Sequence, residues 1–214
     1  MPRQNTKRIV SQKQWRHVVA LTGGLGSGKS AVLDFFRSCG AFGLSADAMV
    51  RHLFKHDASL RKTLVHHFGR ALLTRRHQLD RKKLAQVVFH SSQERRRLES
   101  WVHPRVKKAL QDALRRRKGT LAVCEIPLLY ECGWDALFDQ VVVVHASRAV
   151  RLKRLKKKGM PQPESLRRMK AQWPLAEKNK KADFVVNNNG RLMDTKKQVS
   201  RICRKIVEPN DLNV

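Results

Sequence analysis

Apolar positions along the chain follow two alternating rhythms: short β-branched runs of strand length, and longer stretches with apolar residues three and four apart. The first run, HVVALT at 17–22, is apolar at nearly every position, the pattern of a strand buried on both faces. A glycine-rich turn follows, then a helix to about Cys39 carrying Val32, Phe35, Phe36 and Cys39 on one spacing, with Gly40 as its stop. A short strand at 41–45 leads into helical sequence that runs through Phe68. From about 58 to 118 the pattern is helical only. There Ser91 and Glu94 spell a capping box, and Leu98, Trp101, Val102, Val106, Leu110 and Leu114 form one stripe. Pro104 lies inside that stripe and is expected to kink or restart the helix. Strand runs return at 121–126, 140–145 and 184–187, with Ser147 as an N-cap and Pro163 in a first helical turn. A last helix over about 190–207 precedes a polar tail at 208–214.

Strand and helix in alternation define an α/β fold with a parallel sheet of about five strands flanked by helices. One domain is expected, with its core at 17–57 and 119–207 and a helical insert at about 58–118. Composition agrees: 214 residues with 41% hydrophobic content support one sizeable core. Charge changes the picture. Lys plus Arg number 46 against 17 acids, a net charge of +29 that excludes an acidic solvating protein and requires anionic partners. Basic clusters such as Arg75-Arg76, Arg115 to Lys118 and Lys156 to Lys158 recur along the whole chain, most of them opposite an apolar stripe. No apolar run nears the roughly 18 residues that cross a bilayer, so no membrane association is expected. Residues 1–16 lack the apolar segment of a secretory signal and read as a basic, disordered leader, a transit peptide being the alternative. The expected location is cytoplasmic and the favoured state a monomer. Cys39, Cys124, Cys132 and Cys203 show no zinc-ligand spacing and read as reduced thiols, Cys39 and Cys124 buried.

The strongest chemical signal is GGLGSGKS, Gly23 to Ser30, directly after one predicted strand and opening a helix. It fits the phosphate-loop pattern through Gly23, Gly28, Lys29 and Ser30. Glycines let the backbone approach a phosphate with no Cβ in the way, and the freed N–H groups face the anion with the helix N-terminus. Lys29 reaches the β and γ phosphates, the Ser30 hydroxyl suits Mg2+, and Ala31 offers a backbone N–H. The loop predicts ATP binding without naming the acceptor. Asp47, just past the second strand, is placed to take the acceptor hydroxyl's proton at the carboxyl edge of the sheet; an ordinary helix N-cap is its other reading.

Several further words resemble the dephospho-CoA kinase family over about Val18 to Gly190. They are LTGGLGSGKS; SAD ending on Asp47; Phe68-Gly69; Leu79 to Arg81; His103-Pro104; Pro127-Leu128-Leu129-Tyr130-Glu131; Arg168 to Gln172; Pro174 to Lys178; Ala182-Asp183; and Asn188-Asn189-Gly190. The resemblance implies a P-loop kinase that moves the γ-phosphate of ATP to the ribose 3′-hydroxyl of dephospho-CoA. It implies ATP contacts from Gly24, Gly26, Ser27, Gly28, Lys29, Ser30, Ala31 and Asn188, with Lys29 and Asp47 catalytic. It assigns the insert to the acceptor, with Asp47, Arg81, His103, Pro127 and Leu128 as contacts, and residues of about 151–173 to a lid over ATP. Arg154 and Arg168 are the lid cations on this reading, exposed helix charges on the other. Ser30 and Glu125 would serve Mg2+. Three positions depart from the family pattern: Ser45 replaces the first acid of an Asp-x-Asp, Glu125 an Asp, and Lys157 or Lys158 a second lid Arg. Lysine supplies charge without the guanidinium fork.

Two rival readings remain. Nucleoside monophosphate or shikimate kinases share the loop but lack the PLLxE and PLxEK words. A nucleic-acid module would use the charge, yet aromatic residues are only 6% and stacking platforms need them. Weak, salt-sensitive, sequence-indifferent nucleic-acid binding is expected instead.

Overall fold

The structure, a computed structural model, describes residues 8–74 and 77–208. The Arg75-Arg76 cluster and the tail beyond 208 lie outside the described residues. Two compact units divide the chain: 1–45 with 114–214, and 46–113.

The first unit holds a five-stranded parallel sheet in the order β2-β3-β1-β4-β5. Its strands are β1 (Trp15–Gly23), β2 (Phe42–Ser45), β3 (Gly119–Glu125), β4 (Gln140–His145) and β5 (Phe184–Asn187). β1 is central because both of its faces are apolar: Val18, Val19, Ala20 and Leu21 are all fully buried. Val141 to Val144 of β4 are equally buried. Helices α1 (Lys29–Ser38) and α9 (Leu192–Val207) share one core with the sheet, in which Phe36 and Leu33 meet Val199, Ile202 and Ile206. The remaining helices of this unit are α6 (Arg148–Lys157), α7 (Gln162–Lys170) and α8 (Leu175–Lys180). Ser147 caps α6 by accepting from the Val150 N–H at 3.3 Å, and Pro163 sits in the first turn of α7.

Of the residues expected to form a loose leader, Arg8 to Val10 are packed, whereas Ser11 to Lys13 are exposed. Ile9 and Val10 are buried, and Arg8 pairs with Asp139, whose carboxylate also accepts the Val18 N–H at 2.7 Å. Two apolar residues and one ion pair inside a basic segment dock it, a signal that charge-based reading passes over. The thiols also differ from expectation. Cys124 is buried and its thiol is pushed up to about 12 by desolvation, but Cys39 is exposed and Cys203 is the second buried one. Cys39 stands at the end of α1, where the helix face turns to solvent.

The second unit is helical: α2 (Ala46–His56), α3 (Ala58–Phe68), α4 (Arg81–His90) and α5 (Ser92–Arg115), whose final residues belong to the first unit. Ser91 accepts the Glu94 N–H at 3.2 Å, as the capping word requires. The helix then runs through Pro104 unbroken. Proline removes one donor, and the buried stripe of Val102, Val106 and Leu110 outweighs that single loss.

Candidate active site

The loop between β1 and α1 lies at the carboxyl edge of the sheet, where Gly23 pairs beside Val144. It closes on itself through the Ser27 N–H, which donates to the Gly24 carbonyl at 3.1 Å. Gly28 caps α1 in the left-handed region at φ 94°, a conformation that costs any other residue, and a Cβ there would strike the Asn188 amide. Lys29 is buried, its Nζ donating to the carbonyls of Gly23 and Gly24 at 3.1 and 3.2 Å. Its ammonium therefore sits within the curve of the loop. The Ser27 hydroxyl is buried without a partner among the described residues, and the first N–H groups of α1 have no acceptor within their own helix. Such a ring of donors is a ready anion cradle.

Four side chains from distant parts of the chain hold this loop. Arg154 on α6 donates to the Ser27 carbonyl at 3.1 Å and the Asn188 carbonyl at 2.8 Å. Asn188, buried beyond β5, donates to the same Ser27 carbonyl at 2.8 Å and accepts from Thr195 at 3.0 Å. Arg151 lies one turn before Arg154, with its guanidinium against Gly24; burial, helped by nearby Arg148, lowers its pKa. Gln172 accepts the Leu25 N–H at 2.8 Å. Arg151 and Gln172 are not among the site residues named from the sequence, although both fall in the expected lid and Gln172 closes the Arg168 to Gln172 word. Arg151 has one available signal, its three-residue offset from Arg154, which puts both on one helix face. Arg168 differs: it is half exposed and paired with Glu164 on its own helix at 2.5 Å. Lys157 and Lys158 end α6 as exposed charges.

On the other side of the loop, the Ser30 hydroxyl donates to the buried Glu125 carboxylate at 3.1 Å. Glu125 ends β3 in register with Leu21 and Ser45, so three strands deliver the loop, this acid and Ser45 to one edge. Among the described residues no group of three His, Cys, Asp or Glu side chains could hold a metal. A hydroxyl and one carboxylate nevertheless fit Mg2+, which binds through few protein oxygens, phosphates and water. Pro127 and Leu128 follow half-buried, and the Pro127 carbonyl accepts from Thr22, the residue before the loop, at 3.2 Å.

The second unit carries the other expected residues. Asp47 is exposed in the first turn of α2, two residues beyond Ser45. Arg81 opens α4, exposed, behind the Asp80 cap. His103 is half-buried in α5, where desolvation lowers its pKa and Glu99 partly opposes. This unit also holds a cavity of about 690 Å³ whose walls include Lys55, His56, Arg61, Lys62, His66 and His77 and no acid. Neither Arg81 nor His103 lines it.

A parallel sheet with β1 in third place, a glycine cradle at its edge and a buried lysine within define a P-loop phosphotransferase. A shikimate kinase from Acinetobacter baumannii shares this fold, with a TM-score of 0.53 at 13% identity over 92% of this chain and 96% of that one. The family model for dephospho-CoA kinase matches residues 17–194. The dephospho-CoA kinase of Geobacillus kaustophilus is 37% identical over 191 residues, 87% of this chain and 95% of that protein. The crystal structure of TT1252 from Thermus thermophilus superposes with a TM-score of 0.78 at 32% identity, over 87% of this chain and 95% of the other. The chain belongs to the dephospho-CoA kinase family.

Proposed function

We propose that this protein transfers the γ-phosphoryl group of ATP to the ribose 3′-hydroxyl of dephospho-CoA, giving coenzyme A and ADP. The observation that carries the reading is the assembly at one sheet edge of the anion cradle, Lys29, and the Ser30–Glu125 pair, in a chain of this family.

Phosphoryl transfer asks mainly for alignment and charge neutralisation. The cradle from Gly24 to Ala31 binds the phosphates through N–H groups, while Lys29 exchanges its carbonyl partners for β- and γ-phosphate oxygens. Arg154 and Asn188 hold the Ser27 carbonyl and keep the donors of the loop turned inward. Arg151 adds a second cation at Gly24. Arg168 acts at closure in this scheme, leaving Glu164 for phosphate. Ser30 and Glu125 would hold Mg2+, which when bound offsets charge on the transferred group. Asp47 accepts the 3′-hydroxyl proton as that oxygen attacks the γ-phosphorus and the bond to ADP breaks. Its role rests on the family word and on its position just past β2. Arg81, His103, Pro127 and Leu128 contact the acceptor. The cavity of the helical unit, lined by Lys55, Arg61 and Lys62 and not by these contacts, gives that unit a further basic surface suited to anions. No helix among the described residues is long and apolar enough to cross a membrane. The cytoplasmic location in this proposal rests on the family alone.

One assay tests this: Mg-ATP with dephospho-CoA, AMP or shikimate as acceptor, followed by ADP release. Turnover is expected with dephospho-CoA only, falling about 10²- to 10³-fold in Lys29→Ala and comparably in Asp47→Asn. ADP release with another acceptor and none with dephospho-CoA would replace the acceptor. Full turnover in Asp47→Asn would reduce that residue to a helix cap.

A further inference from the structure

We propose that Lys178 and Glu131 are positioning residues which, through Gln172, set the conformation of the phosphate loop. The proposal rests on the kinase reading for its consequence, while its geometry stands apart from any substrate.

Lys178, near the end of α8, is 0% exposed. Its Nζ reaches both oxygens of Glu131, at 2.8 and 3.1 Å, and the Pro127 carbonyl at 3.1 Å. Glu131 also accepts the backbone N–H of Trp173 at 2.9 Å. The Trp173 ring stacks on Tyr130, with centroids 5.9 Å apart and planes 11° from parallel. The segment at 172–174 is thus fixed at its backbone by one acid and at its side chain by one ring.

The residue held next to Trp173 is Gln172, whose carboxamide oxygen takes the Leu25 N–H of the loop at 2.8 Å. A second arm runs back the other way. The Pro127 carbonyl that accepts from Lys178 also accepts from Thr22, immediately before Gly23. One buried ammonium therefore connects, through few bonds, to the entry of the loop and to its third residue.

A purely stabilising role does not account for this arrangement. A buried ion pair stabilises no better than apolar residues of the same size, and its desolvation cost is large. What the pair supplies is direction: each partner spends a further bond on a named backbone group. Leu25 precedes Gly26, whose left-handed turn at φ 79° lies against Arg151 and Leu155 of α6, and the acceptor on Leu25 fixes the residue at which that turn begins. Preorganised donors are what a phosphate site needs, and displacements near 1 Å are costly.

Amide hydrogen exchange of Leu25, measured without substrate, reads the contact directly; Mg-ATP titration without acceptor reads its consequence. Gln172→Met and Lys178→Met are each expected to accelerate exchange at Leu25 while Val18 to Leu21 in β1 keep native rates. Each is expected to weaken ATP binding about tenfold, with KM for ATP rising more than kcat falls. The double variant should match Lys178→Met alone, because the Gln172 contact lies downstream of Lys178. If Lys178→Met does not fold, Glu131→Gln serves, with faster Leu25 exchange again expected. Native exchange at Leu25 in either folded variant, or additive effects in the double, overturns the proposal. Failure of the native chain to bind ATP would instead overturn the kinase reading, leaving the exchange result to stand.

Discussion

At the scale of single residues, Gly28 joins two constraints that one substitution violates together. Its φ of 94° strains any side chain, and a Cβ meets the Asn188 amide, which must then release Ser27. Gly28→Ala is expected to lower kcat/KM for ATP by about 10²-fold or more while thermal stability falls only modestly. Steady-state kinetics beside a melting curve checks both halves. His103 makes a pH prediction. Its pKa is lowered by burial, so in the window just below the ordinary value of 6.5 the unfolded chain binds the extra proton and the folded one does not. Stability therefore falls as pH drops through that window, and this contribution is present in full only above it. Urea midpoints at about pH 7.5 and about pH 5.5 should differ less in His103→Gln than in the native chain. At this scale the loop glycines, Lys29 and Ser30 were legible because a phosphate dictates residue type and spacing locally. The contacts of Arg151 and Gln172 were not: both fall in the expected lid, but their partners, Gly24 and Leu25, lie more than a hundred residues away, and the lid words do not name them.

At the scale of elements, β4 and β5 occupy the ranges that periodicity predicts, because runs such as Val141 to Val144 offer no helical face. The helix α5 depends on its cap. Ser91→Ala should cost about 1 kcal/mol, seen as a lower urea midpoint with kinetics unchanged, since the capped N–H belongs to Glu94 and not to the loop. The unbroken run through Pro104 and the docked N-terminal segment share one reason. Propensity prices each residue alone, whereas buried neighbours such as Val102 and Val106, or Ile9 and Val10, decide whether a helix continues or a segment docks.

At the scale of the whole molecule, the net charge of +29 acts at distances beyond any one contact. A charge of this size is expected to steer polyanionic substrates toward basic surfaces and to attract other polyanions without regard to sequence. Raising salt from about 50 to about 300 mM should raise KM for ATP and dephospho-CoA several-fold with a smaller change in kcat, as the Debye length contracts. Duplex DNA should bind weakly at the lower salt and be lost at the higher, and binding that survives would mean specific nucleic-acid contacts. Strand and helix periodicity, the phosphate-loop word and the sign of the charge were legible in the sequence alone, since each is a property of neighbours along the chain. Which strand is central, that Glu125 meets Ser30, that Asn188 and Arg154 share the Ser27 carbonyl, and that a buried Lys178 ties Pro127 to Glu131 were decided only by folding. Those contacts join residues far apart in sequence, and their geometry exists only once sheet order and register have brought them together.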